Sequence, residues 1–234
     1  MDATDLPSMY RELTTPHVAD AVLRLGVPLR QAPADVRPVR SGLHVVGRAV
    51  PARHAGSVDV FLEALEGAEP GDVLVVDNGG RDDEACVGDL VALEVAHAGL
   101  AGMVVWGLHR DTVELGDIRL PVFSRGALAG GPQRLDAQEA DALTAARFGD
   151  VVVTRDDVVF GDDDGVLFLP LDRVDEIAAA AERIRDTERE QAALLREGTS
   201  LREQLRFGEY LAGRDRDGTT FRERLRAIGG AIEE

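Results

Sequence analysis

Residues 71–115 read GDVLVVDNGGRDDEACVGDLVALEVAHAGLAGMVVWGLHRDTVEL, and this stretch decides the fold. Val73–Asp77 is a short, β-branched apolar run typical of a buried strand, and the Asn-Gly-Gly after it predicts a turn. A second buried strand is predicted at Gly102–Trp106. Between the strands, a helix that packs on the sheet and ends at Gly99 is predicted. Its apolar residues are Leu90, Val91, Leu93, Val95 and Ala96.

This strand–helix–strand order places two acid-bearing turns at one edge of the sheet. A unit of this length is a right-handed crossover between parallel strands. The start of its helix and the end of its second strand then lie at the carboxyl edge, where open α/β sheets bind their ligands. Gly88-Asp89 and Arg110-Asp111 should therefore face one crevice.

Two helices and a strand are predicted before this unit. Thr14-Thr15-Pro16 is a helix start with a hydroxyl cap and proline in the first turn, and Gly26 should end the helix. Residues 44–52 are typical of a strand. Ser57 is expected to cap a second helix that Gly67 ends.

Further strands are predicted after the unit, at residues 120–124, 151–154, 158–160 and 166–170. The last three are separated by tight acidic turns and suggest a meander that closes the sheet. Residues 125–149 have the composition of a loop, with a short helix predicted within residues 136–145.

A helical tail is predicted to follow Asp172. Its first helix is long, with a narrow apolar stripe that suits packing across a subunit boundary. The stripe consists of Val174, Ile177, Ala181 and Ile184. Capping boxes at Ser200 and Thr220 predict two more helices, and Gly229-Gly230 should end the last one. We therefore divide the chain into an α/β core domain, residues 1–172, and a C-terminal helical extension, residues 173–234.

Composition argues against several classes of protein. The formal net charge is −17 and no basic stretch is dense, which argues against nucleic-acid binding. No apolar run is long enough for a bilayer, and the acidic, polar N-terminus is unlike a signal peptide. Cys86 is the single cysteine, so the chain has no internal disulfide and fits a reducing cytosol. We interpret Cys86 as a small packed residue. We expect a cytoplasmic protein without nucleic-acid or membrane partners.

The chain contains no lysine, because all 26 of its basic residues are arginines. Schiff-base chemistry, pyridoxal phosphate attachment and the P-loop all require a lysine amine. Carbonyl chemistry in this chain would therefore need a metal or a fixed cation as the electrophile.

The candidate site is Asp89 followed, after twenty residues, by Arg110-Asp111. A carboxylate can bind a hard divalent cation, an adjacent arginine can hold a substrate carboxylate, and helix-start amides after Gly88 can bind another anionic group. This combination suits a small oxo-acid better than a sugar or a nucleotide. On spacing alone, however, an Arg-Asp pair at a strand end is more often a helix cap with a surface ion pair.

Residues 71–115 resemble the signature segment of the family that joins the regulator of ribonuclease E activity A (RraA) to 4-hydroxy-4-methyl-2-oxoglutarate aldolases. The family's motif of aspartate, twenty residues and Arg-Asp falls on Asp89, Arg110 and Asp111. Residues 158–170 resemble its second marker, and TPHVADAV near the start resembles its first helix. The resemblance covers about residues 10–185.

The resemblance implies an α/β sandwich related to the phosphohistidine swivelling domains, assembled as a homotrimer or a dimer of trimers with sites at subunit interfaces. It also implies a class II aldolase, dependent on a divalent metal, that cleaves a 4-hydroxy-2-oxo acid to pyruvate and a second oxo acid. Oxaloacetate decarboxylation through the same enolate would be a further activity.

Residue roles also follow from the resemblance. Asp111 would bind Mg²⁺ or Mn²⁺, largely through waters, and Arg110 would hold the pyruvyl portion and stabilise its enolate. Asp89, with the backbone of Gly88, Leu90 and Val91, would hold the substrate carboxylate and a metal-bound water that shuttles the proton. Asp89 and Arg110 are thus the expected catalytic residues.

The family's regulator branch is the alternative, because it binds and inhibits a ribonuclease without turnover. The retained Asp89 and Arg-Asp pair favour a catalytic or metal-binding member. The turn before Arg110 departs from the family pattern, since Trp106-Gly107-Leu108-His109 stands where Asp-Gly and smaller residues are common. His109 could contact substrate or be a solvated turn residue, and we favour the second reading.

Other residues receive structural interpretations. Trp106 should pack in the core or an interface, and His97 should be structural. Residues 162–165 could form a calcium loop, but they lack its spacing and terminal glutamate, so a solvated β-turn is favoured. Residues 82–84 are either solvated or support the crevice from beside it.

Overall fold

In the computed structural model, which describes residues 6–228, a seven-stranded mixed sheet carries helices on one face and a β-hairpin on the other. The sheet strands are β1 (Arg37–Pro38), β2 (Val45–Arg53), β3 (Val73–Asp77), β5 (Gly102–Trp106), β7 (Val122–Ser124), β10 (Asp157–Asp162) and β11 (Gly165–Pro170). Their spatial order is β1-β7-β5-β3-β2-β10-β11. The central strands β2, β3, β5 and β7 are parallel neighbours, and β1, β10 and β11 join antiparallel.

The helices flank the sheet or follow it. They are α1 (Leu6–Met9), α2 (Thr15–Arg24), α3 (Asp59–Glu66), α4 (Asp89–His97), α5 (Thr112–Asp117), α6 (Val174–Arg196), α7 (Leu201–Gln204), α8 (Phe207–Asp217) and α9 (Phe221–Ile228). The predicted crossover is confirmed, because α4 links the parallel neighbours β3 and β5.

Alternation along the strands divides the core between the two faces. In β3, Leu74 and Val76 pack with α3, α4 and α5, whereas Val73 and Val75 pack on the hairpin face. That hairpin consists of β8 (Ala145–Phe148) and β9 (Val151–Thr154). The chain is thus an α/β sandwich with C-terminal helices.

Two very short strands beside the main sheet position the candidate site. β4 (Ala85–Val87) and β6 (Leu108–His109) pair in parallel, with Ala85 opposite Leu108 and Val87 opposite His109. Each strand ends directly before one half of the predicted motif. This pairing therefore aligns the turn after β4 with the turn after β6.

The structure corrects several local predictions between residues 57 and 154. The helix assigned to a Ser57 cap begins at Asp59, with Val58 as its N-cap. The helix predicted within residues 136–145 is wrong, because hydrogen-bonded turns lead there into β8. The predicted three-stranded meander is also wrong in part, since residues 151–154 pair with β8 rather than with the main sheet.

The buried face of α4 is narrower than predicted. Ala92 and Val95 are its fully buried residues, while Leu90 and Leu93 are exposed. The predicted apolar helix therefore leaves part of its apolar surface uncovered within this chain.

The tail begins as part of the core. The stripe of α6 is buried against α2 in the same chain, and the Tyr10 hydroxyl donates to the Val174 carbonyl at 2.8 Å. The expectation that this stripe packs across a subunit boundary is therefore wrong. Both capping boxes are present, at Ser200 and Thr220, and the predicted stop at Gly229-Gly230 lies outside the described residues.

Candidate functional site

The two halves of the predicted motif meet at the carboxyl edge of the sheet. Gly88 is the N-cap of α4, directly after β4, and Asp111 is the N-cap of α5, directly after β6. The Arg110 amide donates to the Val87 carbonyl at 3.0 Å, which joins the two turns. The predicted crevice between Gly88-Asp89 and Arg110-Asp111 is thus present.

Asp111 is the centre of this arrangement. Its Oδ2 accepts from the Asp89 amide at 3.3 Å and lies 3.4 Å from Nε of Arg110. Its backbone is left-handed, with φ of 58°, a conformation that is uncommon outside glycine, asparagine and aspartate. The alternative prediction was a helix cap with a surface ion pair. The ion pair is present between Arg110 and Asp111. The helix cap is not, because the Asp111 side chain makes no cap hydrogen bond to α5.

Gly88 is required by the close approach of these side chains. A Cβ at this position would lie 2.3 Å from Oδ2 of Asp111 and 3.2 Å from Cγ of Arg110. Any larger residue would displace the carboxylate. The lack of a side chain at Gly88 therefore leaves space for the Asp111 carboxylate, in addition to any role in the turn.

The motif lines a cavity of about 430 Å³ with apolar walls. Its motif residues are Gly88, Asp89, Leu90, Val91, Arg110 and Asp111. The apolar wall is formed by Val58, Phe61, Leu62 and Leu65 around α3, together with Pro132. A polar cluster at the end of an apolar cavity suits a small ligand with one charged end.

Residues 130–132 border the crevice, which the sequence pattern did not predict. The Gly130 carbonyl accepts from the Ala85 amide at 2.8 Å, and a Cβ on Gly131 would lie 2.8 Å from Nη1 of Arg110. The signal in the sequence was Gly130-Gly131-Pro132 within a segment predicted only as a loop. The glycines let this segment pass close to the guanidinium.

His109 belongs to the framework of the site, so both readings offered for it are wrong. Its ring is buried, with Nδ1 2.6 Å from Oγ of Ser124 and Nε2 3.1 Å from Oγ1 of Thr112. Burial lowers the pKa of His109, so the ring is neutral near pH 7. It anchors the end of β6 beside the motif.

The structure also shows the surroundings of Cys86, Trp106 and His97. Cys86 is packed as predicted, and burial raises the pKa of its thiol. Trp106 packs against the hairpin-face core, with the Arg125 guanidinium 4.8 Å from the centre of its ring. His97 is exposed in the last turn of α4, and the structural role predicted for it stays a prediction.

The two acidic turns are more ordered than a solvated turn would be. Residues 162–165 form the hairpin turn between β10 and β11, but the Asp162 carboxylate accepts from the amide and hydroxyl of Thr15, each at 2.7 Å. Asp82 and Asp83 are exposed, whereas Glu84 is buried against Arg134. Glu84 is therefore not solvated, and the support that it was expected to give the crevice stays a prediction.

The residues present fit a hard divalent cation. Within residues 6–228, no three His, Cys, Asp or Glu side chains form a metal-binding cluster. The crevice offers the carboxylates of Asp89 and Asp111, and the missing side chain of Gly88 leaves room beside Oδ2 of Asp111. One or two carboxylates are the donor set of an ion such as Mg²⁺, which retains several waters.

A family model described as RraA-like, Aldolase/RraA, matches residues 15–168, well over half of the 234-residue chain. The chain belongs to the RraA-like family. The match contains the whole crevice, the whole of β10 and all but the last two residues of β11. The predicted resemblance is therefore confirmed.

Curated relatives of this RraA-like chain include proteins assigned as aldolases. It is 27% identical to a candidate 4-hydroxy-4-methyl-2-oxoglutarate aldolase of Halalkalibacterium halodurans, over 80% of this chain and 88% of that protein. A protein with the same name from Aromatoleum aromaticum is 38% identical over 44% of this chain and 64% of its own length. The protein DlpA of Legionella pneumophila is 25% identical over 86% of this chain, which spans only 34% of that protein.

Solved structures share the fold. An uncharacterised protein of Pseudomonas syringae superimposes with a TM-score of 0.73 at 22% identity, covering 86% of this chain and 96% of that one. A Streptomyces coelicolor protein, described as an unusual member of the RNase ES inhibitor RraA family, gives 0.67 at 24% identity, covering 82% and 98%. The RraA-like fold is thus established independently of the sequence motif.

Proposed function

We propose that this RraA-like protein is a carbon–carbon lyase dependent on a divalent metal, which cleaves a 4-hydroxy-2-oxo acid to pyruvate and a second oxo acid. The observation that carries the proposal is the meeting of Arg110, Asp111 and the start of α4 in one cavity. Relatives assigned as 4-hydroxy-4-methyl-2-oxoglutarate aldolases support it.

Arg110 is the residue that would hold the oxo-acid. Its side chain is 51% exposed, and among residues 6–228 its guanidinium forms a single ion pair, of 3.4 Å, with Asp111, so it retains donors for a ligand. A planar guanidinium binds a carboxylate through two parallel hydrogen bonds. The same positive charge stabilises the enolate left when the carbon–carbon bond breaks.

Asp111 would hold the cation, Mg²⁺ or Mn²⁺, largely through waters. When bound, the ion supplies a Lewis acid that polarises the 2-oxo group. Asp89 lies at the start of α4, where its Oδ1 accepts from the Leu90 amide at 2.7 Å. We assign Asp89 the exchange of a proton with the substrate through water.

The backbone of Gly88, Leu90 and Val91 would bind the second carboxylate of the substrate. The α4 N-terminus is favourable for an anion, because its first N–H groups have no partner within the helix and the N-terminal end of the helix dipole is positive. The Asp89 and Leu90 amides are held by the carboxylates of Asp111 and Asp89. A substrate carboxylate would replace one of these contacts.

We further infer that the active form is a homotrimer or a dimer of trimers with this cavity at the subunit boundary. Leucine and valine side chains that stand exposed around the cavity support this assembly, because such a patch is typical of an interface. They are Val58, Leu62, Leu90 and Leu93. Leu90 is 75% exposed although it lines the site.

A pyruvate assay tests the proposed activity. Pyruvate should appear from 4-hydroxy-4-methyl-2-oxoglutarate or oxaloacetate with Mg²⁺, and EDTA should abolish its release. Absence of pyruvate from a panel of 4-hydroxy-2-oxo acids and oxaloacetate, with Mg²⁺ or Mn²⁺ supplied, would contradict the proposal.

The second candidate function is a regulator that binds a protein such as a ribonuclease without turnover. The exposed apolar patch on α3 and α4 could bind such a partner as well as a second subunit. In that case, capture of the partner in a pull-down would be unaffected by EDTA and by Arg110→Ala.

A further inference from the structure

The apolar wall of the candidate site is formed mainly by one face of α3. Four residues on that face, three or four positions apart, line the cavity of about 430 Å³ and are here called the α3 wall: Val58, Phe61, Leu62 and Leu65. Phe61 is buried and Leu65 is half-buried, whereas Val58 and Leu62 are exposed. The inner part of the α3 wall is therefore formed within a single subunit and does not depend on assembly.

Other lining residues continue this apolar surface beside the motif. Val91, in the first turn of α4, and Pro132 are half-buried and line the cavity. Val87, at the end of β4, lines it as well and is buried. A ligand group that lies between α3 and the start of α4 therefore meets mostly carbon atoms.

The charges of the cavity are unevenly divided. Among the described residues that line it, Arg110 is the one cation, and the acidic residues are Asp89, Glu94 and Asp111. Glu94 is exposed and lies five residues after Asp89 on α4, about 7.5 Å further along the helix axis. A third carboxylate on the substrate would therefore meet apolar surface or negative charge.

The cavity is larger than 4-hydroxy-4-methyl-2-oxoglutarate requires. Its volume of about 430 Å³ falls within the range, roughly 300–1,000 Å³, of sites that bind drug-sized ligands. The two carboxylates of that substrate are assigned to Arg110 and to the start of α4. Its C4 methyl group is what remains to contact the α3 wall, so most of this wall would be left uncovered.

We propose that the C4 substituent of the substrate is an uncharged alkyl or aryl group larger than methyl, which the α3 wall binds, with Leu65 as a specificity-determining residue. This preference rests on the proposed function, because it concerns the side group of the same substrate. Cleavage breaks the C3–C4 bond. The C4 hydroxyl gives up its proton and becomes a carbonyl, while the electron pair stays on C3 of the pyruvate enolate, which then takes a proton. The second product is a 2-oxo acid that carries the apolar group.

Three 4-hydroxy-2-oxoglutarates, with methyl, isobutyl or carboxymethyl at C4, test the proposal. Isobutyl and carboxymethyl groups have the same branched shape and differ mainly in charge. Pyruvate release by the full chain with Mg²⁺ gives kcat/KM for each compound. We expect the value for the isobutyl compound to be about tenfold above that for the methyl compound, and about a hundredfold above that for the carboxymethyl compound.

Leu65→Ala removes the part of the wall that the isobutyl group is expected to contact. Its kcat/KM for the isobutyl compound should fall by about tenfold, and its value for the methyl compound should be almost unchanged. The ratio of the two values comes from one preparation, so it does not depend on how much of the variant folds. Leu195→Ala, at an exposed leucine of α6 outside the cavity, is the matched control and should change neither value.

The outcomes distinguish the substituent preference from the lyase activity itself. If the methyl compound is cleaved but the isobutyl value is no higher, or equals the carboxymethyl value, the preference is overturned and the activity stands. An equal loss for the methyl and isobutyl compounds in Leu65→Ala would overturn the role of Leu65. No pyruvate from any of the three compounds would overturn the proposed function together with the preference.

Discussion

Arg110 contributes through the shape of its guanidinium as well as its charge. Arg110→Lys keeps the charge but loses the two parallel hydrogen bonds to a carboxylate. We expect kcat/KM for the oxo-acid to fall by about tenfold to a hundredfold, mainly through KM. The free energy of unfolding should be unchanged because the side chain is half exposed.

The control for Arg110 is Arg119→Lys, which changes the same residue type outside the cavity. Steady-state kinetics and urea unfolding of both variants provide the measurement. An Arg110→Lys variant with unaltered KM and kcat would remove Arg110 from substrate binding.

Gly88 is predicted to tolerate no side chain. Gly88→Ala should place its methyl group against Oδ2 of Asp111, at 2.3 Å, and displace that carboxylate from the crevice. We expect activity to be lost and the midpoint of Mg²⁺ activation to rise.

Gly116→Ala is the matched control, because a Cβ at that helical glycine meets no atom within 4 Å. It should leave activity unchanged. Full activity and an unaltered Mg²⁺ midpoint in Gly88→Ala would show that the Gly88–Asp111 contact is not needed.

For the individual residues of the site, the motif predicted which side chains meet, but not which residues surround them. Asp89 lies at the start of a predicted helix, and Arg110 and Asp111 come a few residues after a predicted strand. The burial of His109 could not be predicted, because it depends on Ser124 and Thr112, which come from separate elements. Local sequence contains no signal of that packing.

Among the elements, α2 is held at its N-terminus by a distant hairpin. Asp162, in the turn between β10 and β11, accepts from the amide and the hydroxyl of Thr15. Asp162→Ala would leave both donors without this partner and remove a negative charge from a helix start. We expect a loss of about 1–2 kcal/mol in the free energy of unfolding.

Asp164→Ala is the control for Asp162, since Asp164 is exposed in the same turn and makes no bond to α2 among the described residues. Chemical denaturation of both variants measures the difference. Equal stability of the two variants would show that the link between hairpin and helix contributes nothing.

The long elements were predictable, and the short ones were not. β3 and β5 are continuous apolar runs, α4 is an apolar segment between them, and α6 has an apolar stripe at helical spacing; the structure contains each of them. β4 and β6 have three and two residues, too few to show a period, although they position the motif. The helix predicted within residues 136–145 failed because this segment bonds to the end of β2 instead: the Asp136 amide donates to the Ala55 carbonyl at 2.9 Å, and the Ala142 carbonyl accepts from the Arg53 amide at 2.8 Å.

For the whole molecule, two buried histidines, His54 and His109, and the half-buried His44 should make stability depend on pH. Burial lowers the pKa of His44, His54 and His109 in the folded state, below the ordinary value near 6.5. The unfolded chain therefore binds protons more readily than the folded one once the pH falls below about 6.5.

We expect the urea midpoint to fall between pH 7.5 and pH 5.5, and to fall less in His109→Asn than in the unaltered chain. The loss should begin near the unfolded pKa and continue as the pH approaches the lower folded values. A midpoint that stays constant over this range would contradict the assignment of neutral, buried rings.

Assembly is the second property of the whole molecule that can be tested. Leu90→Glu places a charge in the exposed apolar patch beside the cavity. We expect light scattering to show a mass near three times 25.1 kDa for the unaltered chain and a loss of that species in the variant. Leu23→Glu, at an exposed leucine of α2, is the control and should stay assembled. An unaltered chain that is monomeric would contradict the inferred trimer.

The composition restricted the chemistry of the whole molecule, but it did not predict which surfaces are exposed. The absence of lysine narrows the chemistry, and none of the helices in residues 6–228 is both long and apolar enough to cross a membrane. The apolar patch on α3 and α4 could not be predicted, because the sequence alone assigned Leu90 and Leu93 to the buried face. Only the structure distinguishes the side that faces the sheet from the side left uncovered.

The most direct test compares Asp111→Asn with the unaltered chain in pyruvate release from 4-hydroxy-4-methyl-2-oxoglutarate during a Mg²⁺ titration. Asparagine tolerates the left-handed backbone at this position, so the variant should fold while it lacks the carboxylate that holds the cation. We expect pyruvate release by the unaltered chain to rise with Mg²⁺, and release by the variant to be about a hundredfold or more lower. Equal release by the two proteins at every Mg²⁺ concentration would contradict it.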